Sequence, residues 1–169
     1  KGIRDIWPAG ERILVCVRHN PRSIHLIHAA PRLAAGLRAE WIAVHVEAPS
    51  KVRASEQDLR QLADHMRLAE SLGAETAVLS GQKMSEEVLT YARNRNVTRI
   101  LVGKPTHARW KDKLFGSPLD EIVRGSGDIR EVIIESCLAE LRDAGVDEGN
   151  VSLVCANALH RKFTRTELA

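Results

Sequence analysis

The chain has 169 residues, of which 44% are apolar and 28% are charged, so a single domain with an ordinary buried core is expected. Its net charge of +3 and its aromatic content of 4% weigh against a nucleic-acid-binding role. The longest apolar runs, residues 13–17 and 41–44, are far shorter than the roughly 20 residues that cross a bilayer, and we identify no signal peptide. Three scattered cysteines, Cys16, Cys137 and Cys155, indicate reduced core residues of a cytosolic protein.

Short runs rich in apolar and β-branched residues alternate with helical patterns. The runs predict strands at residues 12–17, 41–47, 75–79 and 99–102, each short and apolar enough to be buried on both faces. The intervening segments carry apolar residues at helical spacing. This alternation predicts right-handed crossovers and a doubly wound α/β domain, with a parallel five-stranded sheet in a three-layer sandwich.

Local signals place the ends of the first two helices. Asn20 and Pro21 resemble an N-cap followed by proline at the first helical position. Pro31 then interrupts the apolar stripe and predicts a kink or a late start. Ser55 and the residues after it resemble a capping box, and Gly73 stands where a helix often ends in a left-handed residue.

The later elements are predicted in the same way. We expect Ser85 to cap a third helix, and Ser117 with Pro118 to open a fourth. Residues 131–135 could form a fifth strand, or residues 129–141 could form a helix; we favour the strand. A further strand is expected at residues 151–155.

The loops after the first and fourth strands are the candidate ligand sites, because open parallel sheets bind ligands where the strand order reverses. After the fourth strand, Gly103 and Gly116 would allow backbone N–H groups to approach a phosphate, with Lys104 supplying positive charge and the Ser117 hydroxyl donating. The alternative interpretation is purely structural, with turn glycines and a helix-capping serine.

This segment resembles the nucleotide-binding members of the universal stress protein family, which carry Gly-x2-Gly-x9-Gly-Ser/Thr at this junction. Here the string is Gly103-x2-Thr106-x9-Gly116-Ser117, so threonine replaces the middle glycine. The resemblance implies a site for ATP, AMP or a cyclic dinucleotide. Family members that bind ATP usually end the first strand with an aspartate aimed at the ribose. Arg18 follows that strand here, and a guanidinium cannot accept a hydrogen bond, although it can pair with a phosphate.

Longer stretches, residues 34–49, 68–76, 91–98 and 124–129, are similar to the universal-stress-like module of KdpD-type potassium-responsive sensor histidine kinases. The resemblance implies a cytoplasmic regulatory module, preceded by a P-loop domain and followed by membrane helices and a kinase core. It implies as partners other domains of the parent kinase or a universal stress protein, and a homodimer is a further possibility. Membrane contact is expected only through the flanking helices. The chain has no P-loop motif, transmembrane run or kinase nucleotide box, so we expect no kinase activity of this chain alone.

We divide the chain into a leader at residues 1–10, a universal-stress-like domain at 11–135 and a tail at 136–169. Within the tail, residues 154–164 resemble a segment of the nickel-dependent lactate racemase family, in which a histidine at the position of His160 serves as an acid or base. The tail lacks that family's cofactor-attachment lysine and its other histidines. A racemase is therefore only a remote alternative.

A basic region spans residues 93–124, where eight basic residues face three acidic ones for a net charge of +5, which leaves −2 for the remainder. We expect a partner-binding surface made by Arg109, Trp110, Lys111 and Lys113, which would take an acidic domain, a nucleotide phosphate or anionic headgroups. The alternative is a solvated loop face.

The histidines indicate neither a metal site nor catalysis. His25 and His28 lie three residues apart on the first predicted helix without a cysteine or carboxylate partner nearby, so we expect surface residues. His45 is expected to be a hydrogen-bonded core histidine. No Ser-His-Asp or Cys-His arrangement can be argued from the spacing.

Overall fold

The computed structural model describes residues 10–49, 53–103, 118–127, 129 and 131–134. The chain alternates strands and helices in the order β1 (Arg12–Cys16), α1 (Ser23–Leu37), β2 (Glu40–Glu47), α2 (Glu56–Ser71), β3 (Glu75–Ser80), α3 (Met84–Asn94), β4 (Arg99–Val102), α4 (Pro118–Gly125) and β5 (Glu131–Ile134). The doubly wound α/β prediction is confirmed, and so is the choice of a strand over a helix after residue 130.

The five strands form one sheet in the order β3-β2-β1-β4-β5, and all four neighbouring pairs are parallel. The chain builds outward from β1 to β3 and then returns to the other side of β1 with β4. The strand order therefore reverses between β1 and β4. In β1, Leu14 lies opposite Ile42 of β2 and Ile100 of β4.

Alternate residues of the central strands pack into two cores, one on each face of the sheet. Ile13, Val15 and Val17 face α1 and α2, whereas Leu14 and Cys16 face α3 and α4. This alternation is the period of a strand, and the two helical layers exclude water from both faces. β3 lies at the edge of the described sheet and is only partly covered, with Val78 57% exposed, contrary to the expectation of burial on both faces.

The start of α1 corrects the sequence prediction. Asn20 does not cap the helix, which begins at Ser23 behind Arg22 and has no side-chain cap. The Asn20 side-chain oxygen accepts from the Arg22 N–H at 2.9 Å, and its carbonyl accepts from the Ser23 N–H at 2.9 Å. Asparagine and proline thus form a turn before the helix. The helix continues through Pro31 to Leu37 without interruption.

The start of α3 is a second correction, whereas α2 has the predicted ends. Lys83, not Ser85, occupies the N-cap of α3, and Ser85 lies inside the first turn. Around α2, Ser55 and Asp58 form the capping box, and Gly73 adopts φ +93° just beyond the C-cap.

Several predictions lie outside the described residues: most of the leader, the strand at 151–155, the tail with His160, and Cys137 and Cys155. Within the described part of the chain, no helix is long and apolar enough to cross a membrane.

Candidate functional site

The loop that follows β1 is held in place by side chains from three other segments. The His45 ring on β2 hydrogen-bonds the Val17 carbonyl through Nδ1 at 2.9 Å, and the His65 ring on α2 does the same to the Arg18 carbonyl at 3.0 Å. The Arg18 N–H donates to the Ser23 hydroxyl at the start of α1, at 3.0 Å. These hydrogen bonds therefore hold two consecutive peptide groups, the one before Arg18 and the one after it.

Both contacts define the histidine tautomer. A carbonyl oxygen has no proton to give, so Nδ1 must carry the hydrogen in each ring and act as the donor. His65 is 6% exposed, and His45 is half-buried. The hydrogen bond predicted for His45 is confirmed, although its partner is a loop carbonyl at the end of β1 and the ring is not fully buried.

The Arg18 side chain crosses to the other face of the sheet. Its guanidinium Nη2 contacts the sulfur of Met84, the first residue of α3, at 3.4 Å, and Arg18 is exposed. An exposed guanidinium at this point can pair with a phosphate or a carboxylate in two parallel hydrogen bonds. Arg18 therefore occupies the reversal point, where the sequence predicted an anion site.

Cys16 lies two residues before Arg18 and is buried, so water is excluded from the end of β1. Burial raises the pKa of its thiol to about 12, and the opposing attraction of the Arg18 charge is the smaller effect. Because the thiolate is the reactive form, Cys16 is an inert core residue. This result agrees with the prediction of a reduced core cysteine.

The β4 side of the site is described only in part. Val15 lies opposite Leu101, and this register continued by two residues puts Gly103 beside Val17 at the same end of the sheet. The start of α4 is tied to α3, because the buried Ser85 hydroxyl donates to the Glu121 carboxylate. The remaining predicted site residues lie outside the described residues: Lys104, Thr106, Arg109, Trp110, Lys111, Lys113, Gly116 and Ser117.

Of the basic region predicted at residues 93–124, the structure describes residues 93–103 and 118–124. Arg95 follows α3 and Arg99 begins β4, so both lie at the amino ends of the strands, and they pair there with Glu75 and Glu11. Lys104 follows the carboxyl end of β4 in the chain. The charges of Arg95 and Arg99 are thus neutralised by glutamates at the amino ends of the strands.

Sequence analysis also missed a basic stretch. Between Arg18 and Arg38 the chain has no aspartate or glutamate but contains four arginines and three histidines, and all seven are exposed: Arg18, His19, Arg22, His25, His28, Arg32 and Arg38. A count of acidic residues along the chain would have found it. The expected surface positions of His25 and His28 are confirmed.

A shallow cleft of about 520 Å³ lies beyond the carboxyl ends of β2 and β3. It is lined by Glu47, Ala48, Pro49, Ser80, Gly81 and Gln82. The cleft adjoins the edge of the sheet that carries Arg18, but it contains one charged side chain, a carboxylate, and so favours no anion. Among the described residues, no group of three or more His, Cys, Asp or Glu could hold a metal ion.

Comparison with known proteins agrees with this architecture. Residues 10–127 match the model of the universal stress protein family. The sensor protein KdpD of Escherichia coli strain K12 is 37% identical over 134 residues, which is 79% of this chain and 15% of that protein. The chain therefore spans a small part of the length of this relative.

Solved structures show the same fold at low sequence identity. A universal stress protein in complex with cAMP is 19% identical with a TM-score of 0.56, covering 73% of this chain and 94% of that one. A universal stress protein from Archaeoglobus fulgidus in complex with dAMP is 17% identical with a TM-score of 0.50, covering 73% and 96%. With the family match over residues 10–127, the chain belongs to the universal stress protein family, and its sequence is that of a KdpD-like universal stress domain.

Proposed function

We propose that this chain is the regulatory module of a KdpD-type sensor histidine kinase in potassium or osmotic signalling at the cytoplasmic face of the membrane. It would act by contacts with other domains of the parent kinase or with a universal stress protein, without catalysing a reaction itself. The similarity to the Escherichia coli sensor protein supports the assignment to this class of kinase.

The single observation that carries the mode of action is the fixed loop at Arg18. Two histidines and a serine hold the peptide groups before and after this residue, while its guanidinium stays exposed. A preorganised loop loses little conformational entropy when a partner binds, so it favours specific recognition of an acidic group. Arg109, Trp110, Lys111 and Lys113 would extend this contact from the loop after β4.

The experiment places the chain in a working kinase. In Escherichia coli KdpD, the segment that matches this chain would be replaced by the full chain. Autophosphorylation and the activity of a potassium-responsive reporter would then be measured in this exchange kinase. The exchange should preserve the response, because the module contributes contacts that relatives share. Arg18→Glu should reduce the response by roughly tenfold, as charge reversal at a docking contact costs on the order of 1–2 kcal/mol. The triple reversal of Arg109, Lys111 and Lys113 to Glu should act in the same direction.

Arg60→Glu is the matched control, because Arg60 is also exposed and its partner Glu56 is an exposed neighbour on α2. This variant makes the same change in charge away from the loop and should leave the response intact. If the exchange kinase is folded and autophosphorylates, and if Arg18→Glu leaves its potassium response unchanged, the proposed contact is contradicted.

A second candidate function is nucleotide binding at the junction of β1 and β4. Structural neighbours of this fold were solved with cAMP and dAMP, and Arg18 and Gly103 stand at neighbouring strand ends here. The site would use the Arg18 and Lys104 charges and the Gly103, Thr106, Gly116 and Ser117 loop for the phosphate groups.

Calorimetric titration with ATP, AMP, cAMP and a cyclic dinucleotide separates the two functions. Binding that is lost in Ser117→Ala and Gly116→Val would support a nucleotide site. Absence of heat at millimolar ligand would exclude it, while a response in the exchange kinase would still support the regulatory module.

A further inference from the structure

The strand β3 forms one edge of the described sheet, and its backbone leaves hydrogen-bonding groups open there. It pairs with β2 in the register that places Glu47 opposite Ser80, and the Gly81 N–H donates to the Glu47 carbonyl at 3.2 Å. In a parallel ladder, a residue bonds one neighbouring strand through both its N–H and its C=O, and the next residue turns both groups to the other side. Because Gly81 bonds β2, the residues Thr76, Val78 and Ser80 present their N–H and C=O groups to the open side. We call these three residues the β3 edge.

Two exposed apolar side chains lie on the same flank of the molecule. Val78 is 57% exposed, and Leu59 on α2 is 56% exposed. The Thr76 hydroxyl donates to the Glu70 carboxylate at 2.6 Å, which identifies the side of α2 that faces β3. Leu59 precedes Glu70 by eleven residues, about three full turns of helix, so it lies on that same side. The flank therefore combines open backbone groups with exposed apolar area, and both favour association with another strand.

The β3 edge lacks the features that usually keep edge strands apart. Residues 75–80 contain no proline and no lysine, and Glu75 is the one charged residue of the strand. Glu75 is the first residue of β3, and its carboxylate is paired with Arg95. The middle of the strand is therefore uncharged and available to a second strand.

We propose that two copies of this chain pair in antiparallel orientation through the β3 edge, with Val78 on the two-fold axis. In this register Val78 lies opposite Val78 of the second copy, and Thr76 lies opposite Ser80 of the second copy. Residues with open groups then face each other at every position of the edge, and each such pair exchanges two N–H···O bonds. A register shifted by two residues would leave one of the three opposite a residue outside the strand. The two sheets become one continuous sheet.

The side chains on the α2 side of the sheet match in this register. Val78 packs against its own copy, and the hydroxyl groups of Thr76 and Ser80 lie opposite each other, which is a favourable cross-strand pair. Pairing also brings together the sides of the two α2 helices that carry Leu59. The exposed apolar residues of this flank are therefore covered in the dimer.

The other face of the sheet favours a second copy over an unrelated peptide as the occupant. Ala77 and Leu79 point to that face, where they pack against the core, and the register sets the small residue opposite the large one. Glu75 lies opposite Gly81 at each end, so no like charges meet. The strand is therefore its own complement on both faces. The proposal is independent of the contact at Arg18, which follows β1.

The experiment is sedimentation equilibrium of the full chain over a range of concentrations, which should show a monomer–dimer equilibrium. Val78→Lys should raise the dissociation constant by about tenfold or more, because it places two ammonium groups opposite each other on the two-fold axis. Ile24→Lys is the matched control, since it makes the same kind of change at an apolar residue of α1 that is 37% exposed. This variant should dimerise like the wild-type chain. Thermal unfolding of both variants would establish that they are folded.

A cross-link tests the register separately. The Cα atoms of a hydrogen-bonded antiparallel pair are about 5.5 Å apart, within the reach of a disulfide. Oxidation of Val78→Cys with copper phenanthroline should therefore give a covalent dimer. Ile24→Cys contains the same native cysteines and should cross-link no more than the wild-type chain.

Three outcomes would overturn the proposal. A wild-type chain that remains a monomer at about 1 mM would show that the edge does not associate specifically. Equal dissociation constants for Val78→Lys and Ile24→Lys would place the dimer contact elsewhere on the molecule. Equal cross-linking of Val78→Cys and Ile24→Cys would contradict the two-fold axis at Val78.

Discussion

At the amino ends of the strands, Arg99 and Arg95 are each paired with a glutamate, and the Arg12 guanidinium bonds Glu40 and the Arg95 carbonyl. At the carboxyl ends, the loop after β1 is held by histidine rings and a hydroxyl, and Arg18 stays exposed. At the amino ends, arginine–glutamate pairs connect the termini of strands and helices. At the carboxyl ends neutral hydrogen bonds hold the backbone, which leaves a cation available for a ligand or partner. The same residue type is therefore paired with carboxylates at one end of the sheet and exposed at the other.

The largest effect should follow from removing a glutamate at the amino ends. Glu11 accepts from Arg99 at 2.7 Å and from the Thr98 hydroxyl at 2.6 Å, and the Arg99 side chain is only 14% exposed. Glu11→Ala leaves a largely buried guanidinium with one acceptor fewer, so the free energy of unfolding should fall by about 2–3 kcal/mol. Urea unfolding would measure it. Glu40→Ala, at an exposed carboxylate paired with Arg12, should cost less than about 1 kcal/mol. Equal losses in the two variants would contradict the role given to burial.

The histidine contact at the carboxyl ends should contribute less. His65→Leu keeps the buried volume but leaves the Arg18 carbonyl without its ring donor, so it should lower the free energy of unfolding by about 1–1.5 kcal/mol. Urea unfolding of His28→Leu, at an exposed position, serves as the control and should stay within about 0.5 kcal/mol of the wild-type chain. If the two variants have the same stability, the ring does not hold the loop.

A third effect concerns the start of α2, which lies near the carboxyl ends. The Ser55 hydroxyl accepts from the Asp58 N–H at 3.1 Å, and the Ser55 N–H donates to the Asp58 carboxylate at 2.9 Å. Ser55→Ala removes half of this capping box at an exposed site and should cost about 0.5–1 kcal/mol by thermal or urea unfolding. Ser71→Ala, at the other end of the helix, removes a single bond to the Leu68 carbonyl and should have a smaller effect.

The sequence was sufficient to predict the layers and sheet class, because apolar period and strand–helix alternation are set by local residue type. The sequence was less reliable at helix starts, where more than one residue could occupy the N-cap position. Asn20 forms a turn, and Ser85 turns inward to Glu121 and leaves the N-cap to Lys83. The histidine contacts could not be predicted, because they join His45 to Val17 and His65 to Arg18 across 28 and 47 residues. The position of Arg18 at the strand-order reversal could be predicted, because the alternation of strands and helices determines the sheet topology.

The smallest effect is the pH dependence of an exposed pair at the amino ends. The hydrogen bond from Arg95 lowers the pKa of the Glu75 carboxyl below its ordinary value of 4.5. Because the folded pKa is depressed, the stabilisation is complete above that value and is lost as the pH falls through the folded pKa. Glu75→Gln should therefore be a few tenths of a kcal/mol less stable than the wild-type chain near neutral pH. This difference should shrink in acid and at high salt, as measured by urea unfolding across the acidic range. A difference that persists unchanged in acid would assign the effect to packing and not to the ion pair between Glu75 and Arg95.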